Sequence, residues 1–132
     1  MKDTVLIVDD DPSVLTMLTK VIRSNGMEPV TASSGEEALN LASDNMDLIL
    51  LDINLGGMDG FEVVQTLRAR GVRTPIILVS GRSEDFDTLY GLDVGADDYV
   101  TKPFNPITLG AKAKALIRRN KSASGQEIWI NA

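Results

Sequence analysis

The run Leu48 to Phe61, LILLDINLGGMDGF, decides how the chain is read. Four apolar residues follow one another without a polar break, end in the carboxylate of Asp52, and give way to a loop carrying Gly56, Gly57 and Gly60. An uninterrupted apolar run of this length is the pattern of a parallel strand covered on both faces. An ionised acid at the tip of such a strand is costly unless a positive group faces it. The same pattern recurs at Val5–Val8, followed by Asp9, Asp10 and Asp11, and at Ile76–Val79, followed by Ser80. Two weaker strands fit Pro29–Ala32 and Tyr99–Thr101, the second leading into Lys102.

Helical periodicity fills the gaps. In Pro12–Ser24, the residues Val14, Leu15, Leu18, Val21 and Ile22 share one stripe, with Asp11 as N-cap and Pro12 at the first helical position. Ser34 and Glu37 form a capping box that opens a helix to about Ser43. Gly60–Arg70 sets Phe61, Val64 and Leu67 on one side and stops at Gly71. Ser83 caps a helix to about Val94, and Asn105-Pro106 opens a last one to about Asn120. Five strand and helix pairs in alternation predict an α/β protein with a doubly wound parallel sheet. Beyond Asn120, KSASGQEIWINA has the composition of a linker before its apolar end at Ile128–Ile130.

The chain has 132 residues, the size of one domain, with 43% hydrophobic and 24% charged residues. No apolar run approaches the roughly 18 residues a membrane span needs, and the start MKDTVLIVDD meets acids at once, unlike a signal peptide. These features point to a cytoplasmic protein without a membrane partner. Cysteine and histidine are both absent, which removes thiolate chemistry, Cys-based zinc sites and the commonest general base. A net charge of −6 argues against the chain itself binding nucleic acid. The basic stretch Lys102 to Lys121 reads as the solvated face of the last helix.

In an open parallel sheet, sites form at the carboxyl ends of the strands. Those ends carry Asp9 and Asp10, Asp52, Ser80 and Lys102, from separate loops that the fold brings together. Carboxylates a few Å apart repel by about 4 kcal/mol at an effective dielectric near 20, so the cluster demands cations. Lys102 supplies one. Only oxygen ligands remain for a second, which suits a hard ion, Mg2+ best, or Mn2+. With both in place, Asp52 is a carboxylate nucleophile set for phosphoryl transfer, where catalysis is mostly positioning and charge neutralisation. Metal, Lys102 and the Ser80 hydroxyl would each take one oxygen of the transferred group, and the glycine-rich loop and Gly81 would let backbone come close.

The set VDDD (Val8–Asp11), LLDINLGGMDG (Leu50–Gly60), VSG (Val79–Gly81) and DDYVTKPF (Asp97–Phe104) resembles the receiver (CheY-like) domain of two-component response regulators. The resemblance covers residues 3 to about 119, giving a receiver domain over 1–120 and a linker-like tail over 121–132 that could lead to an output domain. It implies a flavodoxin-like sheet of order 2-1-3-4-5 with five helices. It implies that Asp52 accepts a phosphoryl group from a sensor histidine kinase or phosphotransfer protein, and that Asp10 ligates magnesium directly. Asp9 would act through water, and the backbone carbonyl of Asn54 would be a further ligand. Ser80 and Tyr99 would be the switch pair, Lys102 the phosphate contact, and Lys102-Pro103 a cis peptide. The expected activity is that of a signalling switch that loses its phosphoryl group slowly, not of a multiple-turnover enzyme. Its expected output is transcription regulation, with a single-domain receiver or an unphosphorylated pseudo-receiver as alternatives.

Two departures stand out. Gly56 stands where relatives commonly carry proline, which loosens the loop. The segments GLDVGADDYVTKPF and LGAKAKALIRR look most like the winged-helix OmpR/PhoB subclass, whose receivers pair through the fourth helix, fifth strand and fifth helix. That subclass often carries a basic residue at the position of Thr88 and an acid at that of Thr108, so this ion pair is absent. Asp97, Asp98, Lys112 and Arg119 remain as candidate pairing charges. Competing motifs fail. An EF-hand loop starting at Asp52 would meet Gly56 and Val63 at ligand positions, and a haloacid-dehalogenase-type phosphatase would need an acid at Asn54.

Overall fold

The computed structural model describes residues 2–81 and 85–123. Strands β1 (Thr4–Val8), β2 (Glu28–Ala32), β3 (Leu48–Leu51), β4 (Ile76–Ser80) and β5 (Asp98–Thr101) alternate with helices α1 (Pro12–Ser24), α2 (Gly35–Leu41), α3 (Gly60–Ala69), α4 (Asp85–Asp93) and α5 (Pro106–Lys121). All pairings are parallel, in the order β2-β1-β3-β4-β5. This is the expected doubly wound sheet.

Strand alternation divides the core in two. Leu6, Val8, Ile49, Leu51, Ile76 and Leu78 face the side packed by Phe61, Val64 and Leu67 of α3 and by Ala38 of α2. Val5, Ile7, Leu48, Leu50, Ile77 and Val79 face Leu18 and Ile22 of α1 and Leu109, Ala113 and Ile117 of α5. Because both faces of β1, β3 and β4 are covered, only their carboxyl ends remain for polar chemistry.

The predicted caps at Asp11, Ser34 and Asn105 are made. Asp11 Oδ1 accepts the Ser13 N–H at 2.9 Å, Ser34 Oγ accepts the Glu37 N–H at 3.1 Å, and Asn105 Oδ1 accepts the Ile107 and Thr108 N–H groups. Glu37 reaches back to the Ser33 N–H at 2.7 Å, one residue before the cap itself. Asp59 caps α3 through the Glu62 N–H at 2.9 Å, a contact the periodicity did not single out. Helix α2 ends at Leu41, short of Ser43, because Ala42 turns to an extended conformation (φ −69°, ψ 136°). Strand β5 starts one residue earlier than predicted, at Asp98, and α5 runs one residue further, to Lys121. Ser83 as a helix cap and the apolar end Ile128–Ile130 lie outside the described residues. Among the described residues no helix is long and apolar enough to cross a membrane. Lys102-Pro103 is cis, as the resemblance implies.

The loop after β3 folds back so that the Gly60 N–H donates to the Ile53 carbonyl at 2.8 Å. A Cβ on Gly60 would sit 2.4 Å from the Asp52 carbonyl oxygen and 2.8 Å from the Ile53 Cα, both backbone atoms that cannot swing aside. Glycine is therefore required where α3 begins, directly beneath Asp52. Gly60→Ala is expected to destabilise the domain by about 1–3 kcal/mol through this overpacking, read as a lowered urea midpoint with an unchanged m-value.

Candidate functional site

Strand ends, not helices, place the polar residues. The Asp9 N–H donates to Ala32 O at 3.2 Å and the Asp52 N–H to Val8 O at 2.9 Å, so sheet pairing fixes the backbone of both acids. Both are buried, whereas Asp10 between the strand and α1 is exposed. One oxygen from each of Asp9, Asp10 and Asp52 lies within 4.8 Å of the other two. The predicted convergence of these three acids is therefore present.

Lys102 enters the cluster from the β5–α5 loop. Its Nζ donates to Asp9 Oδ2 at 2.8 Å and stands 3.6 Å from Asp52 Oδ1. The other Asp9 oxygen accepts the Asp11 N–H at 3.0 Å, and Asp52 Oδ1 accepts the Ile53 N–H at 2.9 Å. Both Asp9 oxygens are thus engaged within the chain. Ser80 is fully buried at the end of β4, and its carbonyl accepts the Lys102 N–H at 2.8 Å, which ties the two loops together. Asn54 and Gly81 are exposed at the same edge. Tyr99 is buried on β5, where a Cβ on Gly91 of α4 would lie 3.5 Å from its ring.

Of the charges named for pairing between copies, three are engaged inside the chain. Asp97 Oδ2 takes the Arg68 guanidinium at 3.1 Å and the Ile76 N–H at 2.8 Å, and Asp98 pairs with Lys112 at 3.1 Å. Arg119 is exposed. The sequence reading missed the Ile53 and Asp11 amides, because backbone donors leave no trace in residue type. It also missed the specific need for Gly60, whose one sequence signal is its place directly after the Asp59 cap.

Electrostatics follow from this arrangement. Burial, and then the charge of Asp9, push the Asp52 carboxyl above its ordinary 3.8, against the opposing pull of Lys102 and of the Ile53 and Asn54 amides. Burial pulls the Lys102 ammonium down, but the hydrogen bond to Asp9 and the charges of Asp52 and Asp9 outweigh it, and the net shift is upward. One lysine is not enough to make an ionised Asp52 comfortable. The donor set fits a hard divalent ion: clustered carboxylate oxygens, with the exposed Asp10 among them, and no histidine or cysteine in the chain.

The fold and this acid cluster define a doubly wound α/β module with an acidic site at the carboxyl ends of its strands. The family model for the response regulator receiver domain matches residues 5–114, and the chain belongs to that family, the signalling switches of two-component systems. It is 42% identical over 125 residues to the alkaline phosphatase synthesis transcriptional regulatory protein PhoP of Bacillus subtilis, covering 94% of this chain and 52% of that protein. It is 46% identical over 121 residues to the transcriptional regulatory protein PrrA of Mycobacterium tuberculosis, covering 91% and 52%. The chain thus spans about half the length of these relatives. Among solved structures, the BeF3-activated DrrB receiver domain superposes with a TM-score of 0.82 at 32% identity, covering 89% of this chain and 99% of that one.

Asp52 binds its proton more tightly in the fold than in the unfolded chain. Its contribution to stability is therefore fully present below 3.8 and is lost as pH rises through the raised folded value. Asp52→Asn removes that loss. In metal-free buffer at pH 7 it is expected to raise the melting temperature read by calorimetry. The gain should vanish near pH 3, where both proteins carry a neutral side chain at this position.

Proposed function

We propose that Asp52 accepts a phosphoryl group from the phosphohistidine of a sensor histidine kinase or phosphotransfer protein. The observation that carries the proposal is the meeting of Asp10, Asp52 and Lys102 at one sheet edge, where burial and the charge of Asp9 push the Asp52 carboxyl upward despite the lysine. Asp10, Asp52 and the Asn54 backbone carbonyl would hold Mg2+, with Asp9 acting through water because both of its oxygens are already engaged. When bound, the ion lowers the charge of the acids and of the incoming phosphoryl oxygens.

The chain's own residues do the rest. An Asp52 carboxylate oxygen bonds to phosphorus as the phosphorus–nitrogen bond of the donor breaks, and the imidazole leaves with a proton from water. Lys102 follows the negative charge from Asp9 and Asp52 onto a phosphoryl oxygen, and the Ser80 hydroxyl takes another. Water later attacks phosphorus and restores the carboxylate. Asn54 offers no carboxylate to deprotonate that water, which supports a slow loss and a switch over a phosphatase.

Ser80 moving toward the phosphoryl group and Tyr99 following it would change the surface around α4, β5 and α5. Leu89 is 67% and Leu92 42% exposed on α4. That apolar surface supports pairing of two copies through this face, with Asp98, Lys112 and Arg119 at hand and Asp97 held inward by Arg68. Thr88 and Thr108 leave out one cross-chain ion pair. Given relatives named as transcriptional regulators that are about twice as long, we assign residues 1–120 as the receiver unit and 121–132 as a link toward an output domain acting on transcription in the cytoplasm.

Acetyl phosphate with Mg2+ should add one phosphoryl mass to the wild type and none to Asp52→Ala or Asp52→Asn. Labelling that persists in either variant would overturn the assignment, and no labelling of the wild type would favour a pseudo-receiver. Asp10→Asn should weaken Mg2+ binding by about tenfold or more, measured by titration of intrinsic fluorescence or calorimetry. Light scattering with beryllofluoride, a phosphoryl mimic, should show a shift from monomer to dimer.

A further inference from the structure

The edge of the sheet opposite the acid cluster holds a guanidinium with all three nitrogens engaged. Arg68, near the end of α3, donates from Nε to Gly95 O at 3.0 Å and from Nη1 to Val72 O at 2.9 Å and Thr74 O at 2.8 Å. Its Nη2 donates to Asp97 Oδ2 at 3.1 Å. The three carbonyls belong to the turn after α3, the entry to β4, and the corner between α4 and β5. The corner is fastened again by Asp97, whose N–H donates to Ile76 O and whose carboxylate accepts the Ile76 N–H, both at 2.8 Å. Gly95 has φ +123°, and a Cβ there would lie 2.8 Å from Arg68 Cγ, so the arginine stem fills the space over the glycine.

This corner is also the end of α4. The Val94, Gly95 and Ala96 N–H groups close the helix onto Tyr90, Leu92 and Gly91 carbonyls at 2.9, 3.2 and 3.0 Å. A few residues away, α4 lies close against the sheet at Gly91, since a Cβ there would sit 2.6 Å from Leu78 Cδ1 and 3.5 Å from the Tyr99 ring. Any displacement of Tyr99 meets α4 at that point. A helix pushed on its side while one end is fixed rotates about the fixed end; a helix with both ends loose slides.

We propose that Arg68 is a positioning residue that makes the α4–β5 corner the fixed pivot of α4, an inference that rests on the phosphorylation reading given above. Events at Ser80 and Tyr99 then swing the outward Leu89 and Leu92 without moving residues 94–98. The planar fork is what the task requires, because a lysine ammonium cannot reach this spread of acceptors from a single point.

Hydrogen exchange read by mass spectrometry, with and without beryllofluoride and Mg2+, tests the idea on the whole chain. In the wild type, beryllofluoride should change exchange in peptides over residues 88–93 and leave 94–98 unchanged. In Arg68→Ala, exchange at 94–98 should be faster by about tenfold or more in both states, since buried carbonyls lose their donors. The beryllofluoride response over 88–93 should fall to about half or less, with beryllofluoride uptake by 19F NMR retained. Asp97→Asn, which keeps an acceptor for the Ile76 amide, should give the same pattern more weakly and serves if Arg68→Ala does not fold. Unaltered protection at 94–98 in the variants, or a wild-type response at 94–98 as large as at 88–93, would overturn the pivot. Absence of beryllofluoride uptake by the wild type would instead remove the phosphorylation reading, and the pivot with it.

Discussion

Everything at the polar edge follows from one constraint: one oxygen from each of three carboxylates lies within 4.8 Å of the others, two of the acids are fixed by sheet pairing, and one ammonium reaches them. The backbone bonds from Asp9 to Ala32 and from Asp52 to Val8 mean that the backbones of these two acids cannot move apart without breaking the sheet. Repulsion is therefore stored in the fold, and the site gains from any ligand that adds positive charge or spreads the negative. The hydrophobic strands beneath carry that cost. Burial of both faces of β1, β3 and β4 is what keeps the acids in register while they oppose one another.

Lys102 is only a partial remedy, and its geometry explains why. Its ammonium is bonded to Asp9 and stands farther from Asp52, so the residue with the strongest need for neutralisation receives the weaker contact. Lys102 also couples the cluster to β4, because its backbone N–H is bonded to the carbonyl of Ser80.

Much of this architecture is legible in residue order alone. Uninterrupted apolar runs mark parallel strands, Asp11-Pro12 and Asn105-Pro106 mark helix starts, and the topology of an open sheet makes Asp9, Asp10, Asp52, Ser80 and Lys102 neighbours although up to 93 residues separate them. What is not legible is set by backbone geometry and by contacts between distant segments. The early end of α2 depends on the torsion at Ala42. The inward role of Asp97 depends on a guanidinium 29 residues earlier, so an acid that reads as surface charge is in fact a fastening. The amides of Ile53 and Asp11 belong to no residue type at all. Gly60 lies between the two cases: the glycine is visible, but the reason for it is a carbonyl in the preceding loop.

Helix α5 has a consequence of distance. Asn105 caps it beside the Lys102 loop, while Lys121 at its other end pairs with Asp3 just before β1, so the helix crosses the full depth of the sheet. Sixteen residues make it about 24 Å long. Lys121 therefore stands at the opposite pole of the sheet from the Lys102 loop, and a single rigid rod joins the two.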